Sequence, residues 1–242
     1  MAHYSRAPIT EALIDLRVTP TAEVDVAALE SIHSQEAERY PEKKKLFAFT
    51  AELRTGDEVS ANATQLERGW ALISVDKRQV FQAQVDGFTF SRLTPYETWE
   101  SFRQEAFRLW QIYRAVNPRG AVTRIAVRYL NRLDLPLPLR DFKDYLHTVP
   151  EIGQDLPQSL SGFFMQLHIP IPDVFGTAIV TETLIPPSSP EVASVVLDIN
   201  LARDHELPTD DADIWKLFED LHNYKNKVFE GCITDLTREM IK

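Results

Sequence analysis

The sequence has 242 residues and a formal net charge of −10, with 44% hydrophobic and 26% charged side chains. This composition is that of a globular protein with a core, and it excludes a disordered chain, a collagen and a coiled-coil fibre. No apolar run reaches the roughly 18 residues of a membrane helix, and the N-terminal residues do not have the pattern of a signal peptide, so we expect no membrane partner. The single cysteine, Cys232, excludes an intrachain disulfide framework and favours a cytoplasmic location.

The negative charge lies mostly in the second half of the chain. Residues 1–120 carry a formal charge of −2 and residues 121–242 carry −8. A net-acidic chain is not attracted to phosphate backbones, so sequence-independent binding to nucleic acid is disfavoured.

The first 120 residues predict a strand, a helix, a set of antiparallel strands and a long helix. Residues 11–18 alternate apolar and polar side chains, as a half-buried strand does. Thr94, Pro95 and Glu97 have the spacing of a helix start. The predicted elements that follow the first strand are a helix over 24–39, strands over 46–53, 70–75, 80–85 and 88–93, and a helix over 96–116.

The second half repeats this order of elements. It predicts a strand over 121–135, a short helix over 141–147, strands over 162–171, 178–184 and 193–201, and a closing helix over 214–229. Short turns between strands make the pairing antiparallel, and amphipathic helices must cover one face of the sheet. We therefore expect an α+β fold: duplicated strand–helix–antiparallel strands–helix units, residues 1–120 and 121–242, forming a curved sheet with long helices packed on one face.

A line of arginines on one strand is the first candidate site. In the strand over 121–135, Arg124, Arg128 and Arg132 share one face because side chains alternate, and Arg17 on the first strand could extend the line. Guanidinium groups in a row can bind carboxylates or phosphates. The alternative is that these arginines pair with acids of the sheet such as Glu11, Asp15 and Glu52.

The closing helix carries the second candidate site. His222, Lys225 and Asn226 lie at spacings that put them on one helix face. A neighbouring lysine lowers the proton affinity of a histidine, so His222 could act as a base near neutral pH. The alternative is a polar face turned to solvent.

The sequence lacks the common motifs of cofactor and metal sites. It has no phosphate-binding glycine loop, no nucleophile elbow and no histidine pair at metal-ligand spacing, so we predict neither a cofactor nor a metal. Asp210, Asp211 and Asp213 precede the closing helix, where capping is the expected role. Cys232 has no basic neighbour in sequence and is predicted to be a buried thiol.

Four segments resemble a sporadically distributed, functionally uncharacterised bacterial protein family. They begin at Ala7 (APITEALIDLR), Gly87 (GFTFSRL, with PYETW following), Arg124 (RIAVRYLNR) and His222 (HNYKNKVF). Because the segments span nearly the whole chain, the resemblance implies a full-length member. It implies a stand-alone bacterial protein, with an accessory role in defence or stress, and transfers no catalytic residue.

Three functions remain open on the sequence. The first is a binding or regulatory protein that recognises a protein partner or an anionic ligand through the arginine-bearing face or a helix–sheet cleft. The second is a metal-dependent enzyme acting on nucleotide or phosphate-containing substrates, with Glu11, Asp15 or Asp134 holding Mg²⁺. The third is a structural protein that self-associates through Trp70, Phe81 and the sheet edges, and a homodimer is compatible with any of the three.

Overall fold

The computed structural model describes residues 4–22, 24–54 and 60–242. Its helices are α1 (Val26–Glu36), α2 (Trp99–Val116), α3 (Asp211–Cys232) and α4 (Asp235–Ile241). Its strands are β1 (Ile9–Val18), β2 (Glu42–Arg54), β3 (Ser60–Ile73), β4 (Gln79–Gln84), β5 (Gly87–Leu93), β6 (Val122–Pro136), β7 (Phe164–Ile171), β8 (Gly176–Ile185) and β9 (Val192–Arg203). Single 3₁₀ turns occupy Phe142–Asp144 and Pro172–Val174.

The strands form a large antiparallel sheet, which confirms the predicted α+β class. Hydrogen bonding joins the nine strands in the order β2-β3-β4-β5-β1-β6-β9-β8-β7. The described residues divide into two compact units: unit 1 holds those within 1–14, 93–98 and 124–242, and unit 2 holds those within 15–92 and 99–123.

The strand pattern of the sequence determines which side chains are buried. In β1 the apolar residues Ala12, Ile14, Leu16 and Val18 are buried, and the intervening residues are only partly so. In β6 the buried set includes Ile125, Val127, Tyr129, Leu133 and Leu135, because alternate side chains point to one face.

Unit 1 consists mainly of β6, β9, β8 and β7 with α3 and α4. In its register Tyr129 of β6 lies opposite Ile199 of β9, which lies opposite Val180 of β8. These side chains share the face on which α3 packs, and the apolar core there extends to Cys232 and Ile233. The predicted burial of the Cys232 thiol is confirmed.

Unit 2 contains β2 to β5 with α1 and α2, and its core is aromatic. Phe81 and Phe88 on neighbouring strands have ring centroids 5.2 Å apart, and Phe88 meets Trp110 of α2 edge-on at 5.5 Å. Trp110 in turn stacks on Tyr113 at 5.4 Å. Trp70 and Phe81 are 8% and 0% exposed, so the side chains predicted to form an interface belong to this core instead.

Several element boundaries differ from the predicted ones. The helix expected from Tyr96 begins at Trp99, so Thr94, Pro95 and Glu97 do not form its start. The three lysines that follow Glu42 lie within β2, which begins before the predicted strand, and Lys43 and Lys45 pair there with Glu30 and Glu67. Strand β3 begins ten residues before the predicted strand, and α4 was not predicted. The predicted cap is confirmed, because the Asp210 carboxylate accepts hydrogen bonds from the first turn of α3.

Candidate functional site

The inward stripe of α3 contains a lysine among apolar residues. Ile214, Phe218 and Leu221 are buried at helical spacing, and Lys225 takes the next position in the same stripe. Lys225 is only 6% exposed. The helix face that carries His222, Lys225 and Asn226 is therefore turned toward the sheet of unit 1, and the alternative of a solvent-facing polar surface is wrong for Lys225.

The Lys225 amine has few partners in this position. Its Nζ donates a hydrogen bond to Asn226 Oδ1 and lies 3.7 Å from the centroid of the Tyr129 ring. No carboxylate among the described residues forms an ion pair with it, and burial lowers the pKa of Lys225 to about 7. A protonated amine has three N–H donors, and the described residues supply it with one hydrogen-bond acceptor, Asn226 Oδ1, and one aromatic face, that of Tyr129.

His222 is locked between Asn226 and Tyr129. Lysine only donates, so Asn226 presents its oxygen to Lys225 and its amide nitrogen to His222 Nε2, 3.1 Å away. His222 Nε2 is then the acceptor, and the proton of the neutral ring sits on Nδ1, which faces Tyr129 Oη at 3.4 Å. Tyr129 Oη lies 3.0 Å from Tyr96 Oη, which completes a chain of five polar side chains.

The protonation state of His222 follows from its surroundings. Burial, assisted by the Lys225 charge, lowers the pKa of His222 to about 3. The imidazole is neutral at physiological pH and is too weak a base to accept a proton readily there. Its role in this geometry is to orient Asn226 and Tyr129. Burial also raises the pKa of Tyr129, so its hydroxyl stays protonated.

Arg128 and Arg132 lie on the opposite face of β6, and each is paired there with an acid. Arg128 forms a two-pronged ion pair with Asp198, with Nε 2.9 Å from Oδ1 and Nη2 2.5 Å from Oδ2. Arg132 bonds to Asp134 at 3.0 Å and to Ser194 at 3.1 Å. Asp198 is 9% exposed, so the Arg128 guanidinium supplies the counter-charge of a nearly buried carboxylate.

The other two arginines of the predicted line, Arg124 and Arg17, have different surroundings from those of Arg128 and Arg132. Arg124 shares the face of Arg128 on β6 and is partly buried. Arg17 belongs to unit 2, where it lies 3.1 Å from Asp15, which also accepts a hydrogen bond from Thr89 at 2.8 Å. The side chain of Glu52, one of the predicted acid partners, lies outside the described residues.

Glu182 of unit 1 is a buried carboxylate that was not among the residues predicted from the sequence. Glu182 lies in the middle of β8 on the α3 side, opposite Leu197 of β9 and Met165 of β7. It has no exposed surface, and neither carboxylate oxygen has a hydrogen-bond partner among the described residues. Burial raises the pKa of Glu182 to about 7. The alternation of Ala178, Val180 and Leu184 around it is the signal that predicts its inward position.

Unit 2 contains a polar network of a different kind. Arg108 of α2 donates to both oxygens of Glu36 at 2.7 Å, and its Nη2 also reaches Glu105 at 2.8 Å. Tyr40 donates a hydrogen bond to Glu105 at 2.9 Å. Each charge here has an opposite charge beside it, so this network needs no ligand to balance it.

Comparisons with protein families and curated proteins do not assign the chain to a family. No family model matches the chain, and no curated protein gives a significant match. No helix of the described residues is long and apolar enough to cross a bilayer. Within the same residues, no group of three or more His, Cys, Asp or Glu is placed to hold a metal ion.

Proposed function

We propose that the protein is a binding protein for a small anionic ligand, and that the site is the cluster of Lys225, His222, Asn226, Tyr129 and Tyr96 between α3 and the sheet of unit 1. The observation that carries the proposal is the buried Lys225 amine, which has no carboxylate partner in the described part of the chain. Transfer of an unpaired charge from water into a protein interior costs several kcal/mol. A bound carboxylate or phosphate would supply the missing counter-charge.

The geometry suits recognition better than catalysis. Beyond its bond to Asn226 and its contact with the Tyr129 ring, the Lys225 ammonium has one more N–H donor, which can bond an oxygen of an anionic group. His222 orients the Asn226 amide next to the amine, and the Tyr129 ring lies against the amine. With its low pKa the imidazole offers little as a proton acceptor, and the described cluster contains no hydroxyl activated by an adjacent base.

The arginine-bearing face supports anion recognition less well. The guanidinium of Arg128 is engaged by Asp198, and that of Arg132 by Asp134. An incoming anion would have to compete with these carboxylates. The same contacts count against the alternative of a metal-dependent enzyme, because Asp134 and Asp15, two of the acids predicted to hold Mg²⁺, already bond to arginines.

Thermal unfolding with a panel of anions tests the proposal. The panel is inorganic phosphate, pyrophosphate, citrate and adenosine monophosphate, each with wild type, Lys225→Met and Lys227→Met. Lys227 is the matched control, since it is exposed on the same helix and its Nζ lies 4.5 Å from the Tyr224 ring centroid. An anion at about 100 times its Kd adds roughly 2.7 kcal/mol of stability.

We expect at least one anion to raise the melting temperature of wild type and Lys227→Met and to have no effect on Lys225→Met. An equal shift in all three proteins would place the bound anion elsewhere. The absence of any shift in wild type would refute the proposal.

We also propose that the chain arose by internal duplication. In each half the first strand pairs with the last strand of that half: β1 pairs with β5 in the order β2-β3-β4-β5-β1, and β6 pairs with β9 in the order β7-β8-β9-β6. A long helix follows the strands in both halves, α2 in the first and α3 in the second. We further propose the cytoplasmic location predicted from the single cysteine, and membership of the family that the four sequence segments resemble.

A further inference from the structure

The two outer strands of the sheet, β2 and β7, both carry exposed apolar side chains, among them Phe49 of β2 at 73% exposure, but they differ in charge. Strand β2 carries charges at four consecutive positions, Glu42 and the three lysines that follow it. Charged side chains on an outer strand oppose pairing with another chain. Strand β7, with the sequence FMQLHIPI, has no charged residue. Its side chains include Phe164 at 70% exposure and Ile169 at 40%.

The backbone of β7 leaves a regular set of hydrogen-bonding groups unused. Strand β7 pairs with β8 in a register in which Phe164 lies opposite Thr183, and Leu184 N–H donates to the Phe163 carbonyl. Because partner-facing groups alternate along an antiparallel strand, the odd-numbered residues of β7 bond to β8 and the even-numbered ones point their N–H and C=O outward. These outward groups have no partner among the described residues.

We propose that β7 pairs antiparallel with β7 of a second copy of this chain, so that a two-fold axis passes beside Leu167. In this register Gln166 lies opposite His168 of the partner subunit, and Phe164 lies opposite Pro170 of the partner subunit. The N–H groups of Phe164, Gln166 and His168 all find carbonyl acceptors on the second copy, and Pro170, which has no N–H, loses nothing.

The side chains match in the same register. Residue numbers that meet across the axis are both even or both odd, so each side chain meets one from the same face. On one face Gln166 and His168 are hydrogen-bonding partners, and they are already 3.1 Å apart within one chain. On the other face Met165 meets Ile169 of the partner subunit, which joins two apolar side chains.

The net negative charge of the protein favours self-association through the uncharged strand β7. Two copies each carrying −10 repel one another, and a neutral strand is the surface at which that repulsion is smallest. An eight-residue edge covers less than the roughly 1,000 Å² of a stable interface, so the dimer is weak and should form at high protein concentration.

Sedimentation equilibrium over micromolar to millimolar protein measures the association. Wild type should shift from the 27.7 kDa monomer toward twice that mass. His168→Pro should remain monomeric, because it removes an N–H that points away from β8, whereas His168→Ala should still dimerise. Thermal unfolding of both variants checks that the fold is intact.

A charge exchange then tests the register. Gln166→Lys with His168→Lys should abolish the dimer, and Gln166→Lys with His168→Glu should restore it, since only the proposed register puts each introduced lysine opposite an introduced glutamate. A wild-type monomer at every concentration would overturn the proposal, as would a dimer that His168→Pro leaves unchanged. These outcomes do not depend on ligand binding at Lys225.

Discussion

Replacing Lys225 with methionine should make the ligand-free protein more stable, by an amount that depends on pH. Methionine fills a similar volume in the α3 stripe without a charge to desolvate. Burial lowers the pKa of Lys225 from 10.5 to about 7, so the unfolded chain holds this proton more tightly than the folded chain. The wild-type protein is therefore penalised at low pH, and it recovers stability as pH rises from 7 toward 10.5.

The size of the effect follows from the pKa difference. One pKa unit corresponds to about 1.4 kcal/mol, so a change of 3.5 units amounts to about 5 kcal/mol well below pH 7. Between pH 6 and pH 9 the penalty falls by about 3 kcal/mol. Loss of the hydrogen bond to Asn226 costs the variant about 1 to 3 kcal/mol at every pH. This cost offsets part of the gain below pH 7 and most or all of it at pH 9, and it leaves the pH dependence unchanged.

Urea denaturation of both proteins at pH 6, 7, 8 and 9 measures this difference. The stability of Lys225→Met minus that of wild type should decrease by about 3 kcal/mol from pH 6 to pH 9. Titrations at other residues largely cancel in the difference, and the range stays above the pH at which His222 is protonated. A difference that is constant over this range would refute the assignment of Lys225 as a buried amine without a counter-charge.

Three further variants test other parts of the account. Burial raises the pKa of Glu182 from 4.5 to about 7, so wild type should lose about 3 kcal/mol of stability relative to Glu182→Gln as pH rises from 5 to 8. Equal pH profiles of the two proteins in urea denaturation would contradict this. Arg128→Ala leaves Asp198 without its counter-charge and should cost about 1 to 2 kcal/mol in the same assay, while the anion-induced shift persists; loss of that shift would move the site to the arginine face. Asp210→Ala removes the α3 cap and should cost about 1 kcal/mol by thermal unfolding, whereas an unchanged stability would mean that the cap contributes nothing.

Local periodicity predicted most of the secondary structure. In β1, β6 and α3 one face of the element is buried and the other is not. This produces the alternation of the strands and the helical spacing of α3 that can be read from the sequence. Strand β3 was placed too late because its first residues, 60–67, are mostly polar and those described are exposed, so they show no alternation. The start of α2 was placed too early because the capping pattern at Thr94 considers only neighbouring residues. In the structure the Thr94 N–H bonds to the Thr10 carbonyl, so Thr94 continues the pairing with β1.

The candidate site was only partly predictable. The shared face of His222, Lys225 and Asn226 follows from helix geometry, and the position of Lys225 four residues after Leu221 predicts its burial once the apolar stripe is extended. The contact of Tyr129 with His222 spans 93 positions and its contact with Tyr96 spans 33, and no local sequence pattern predicts contacts over such separations. The pairing of Arg128 with Asp198 is non-local in the same way.

The most direct test of anion binding at Lys225 follows its side chain by nuclear magnetic resonance. Protein labelled with ¹³C at lysine Cε is titrated from pH 5 to pH 11 without added anion and with each of the four anions of the thermal panel. We expect a resonance that titrates with a pKa of about 7 and that is absent in Lys225→Met. The pKa of this resonance should rise toward 10.5 when the anion binds, because the bound charge stabilises the protonated amine. A Lys225 pKa that none of the four anions changes, or one that already lies near 10.5 without them, would contradict anion binding at Lys225.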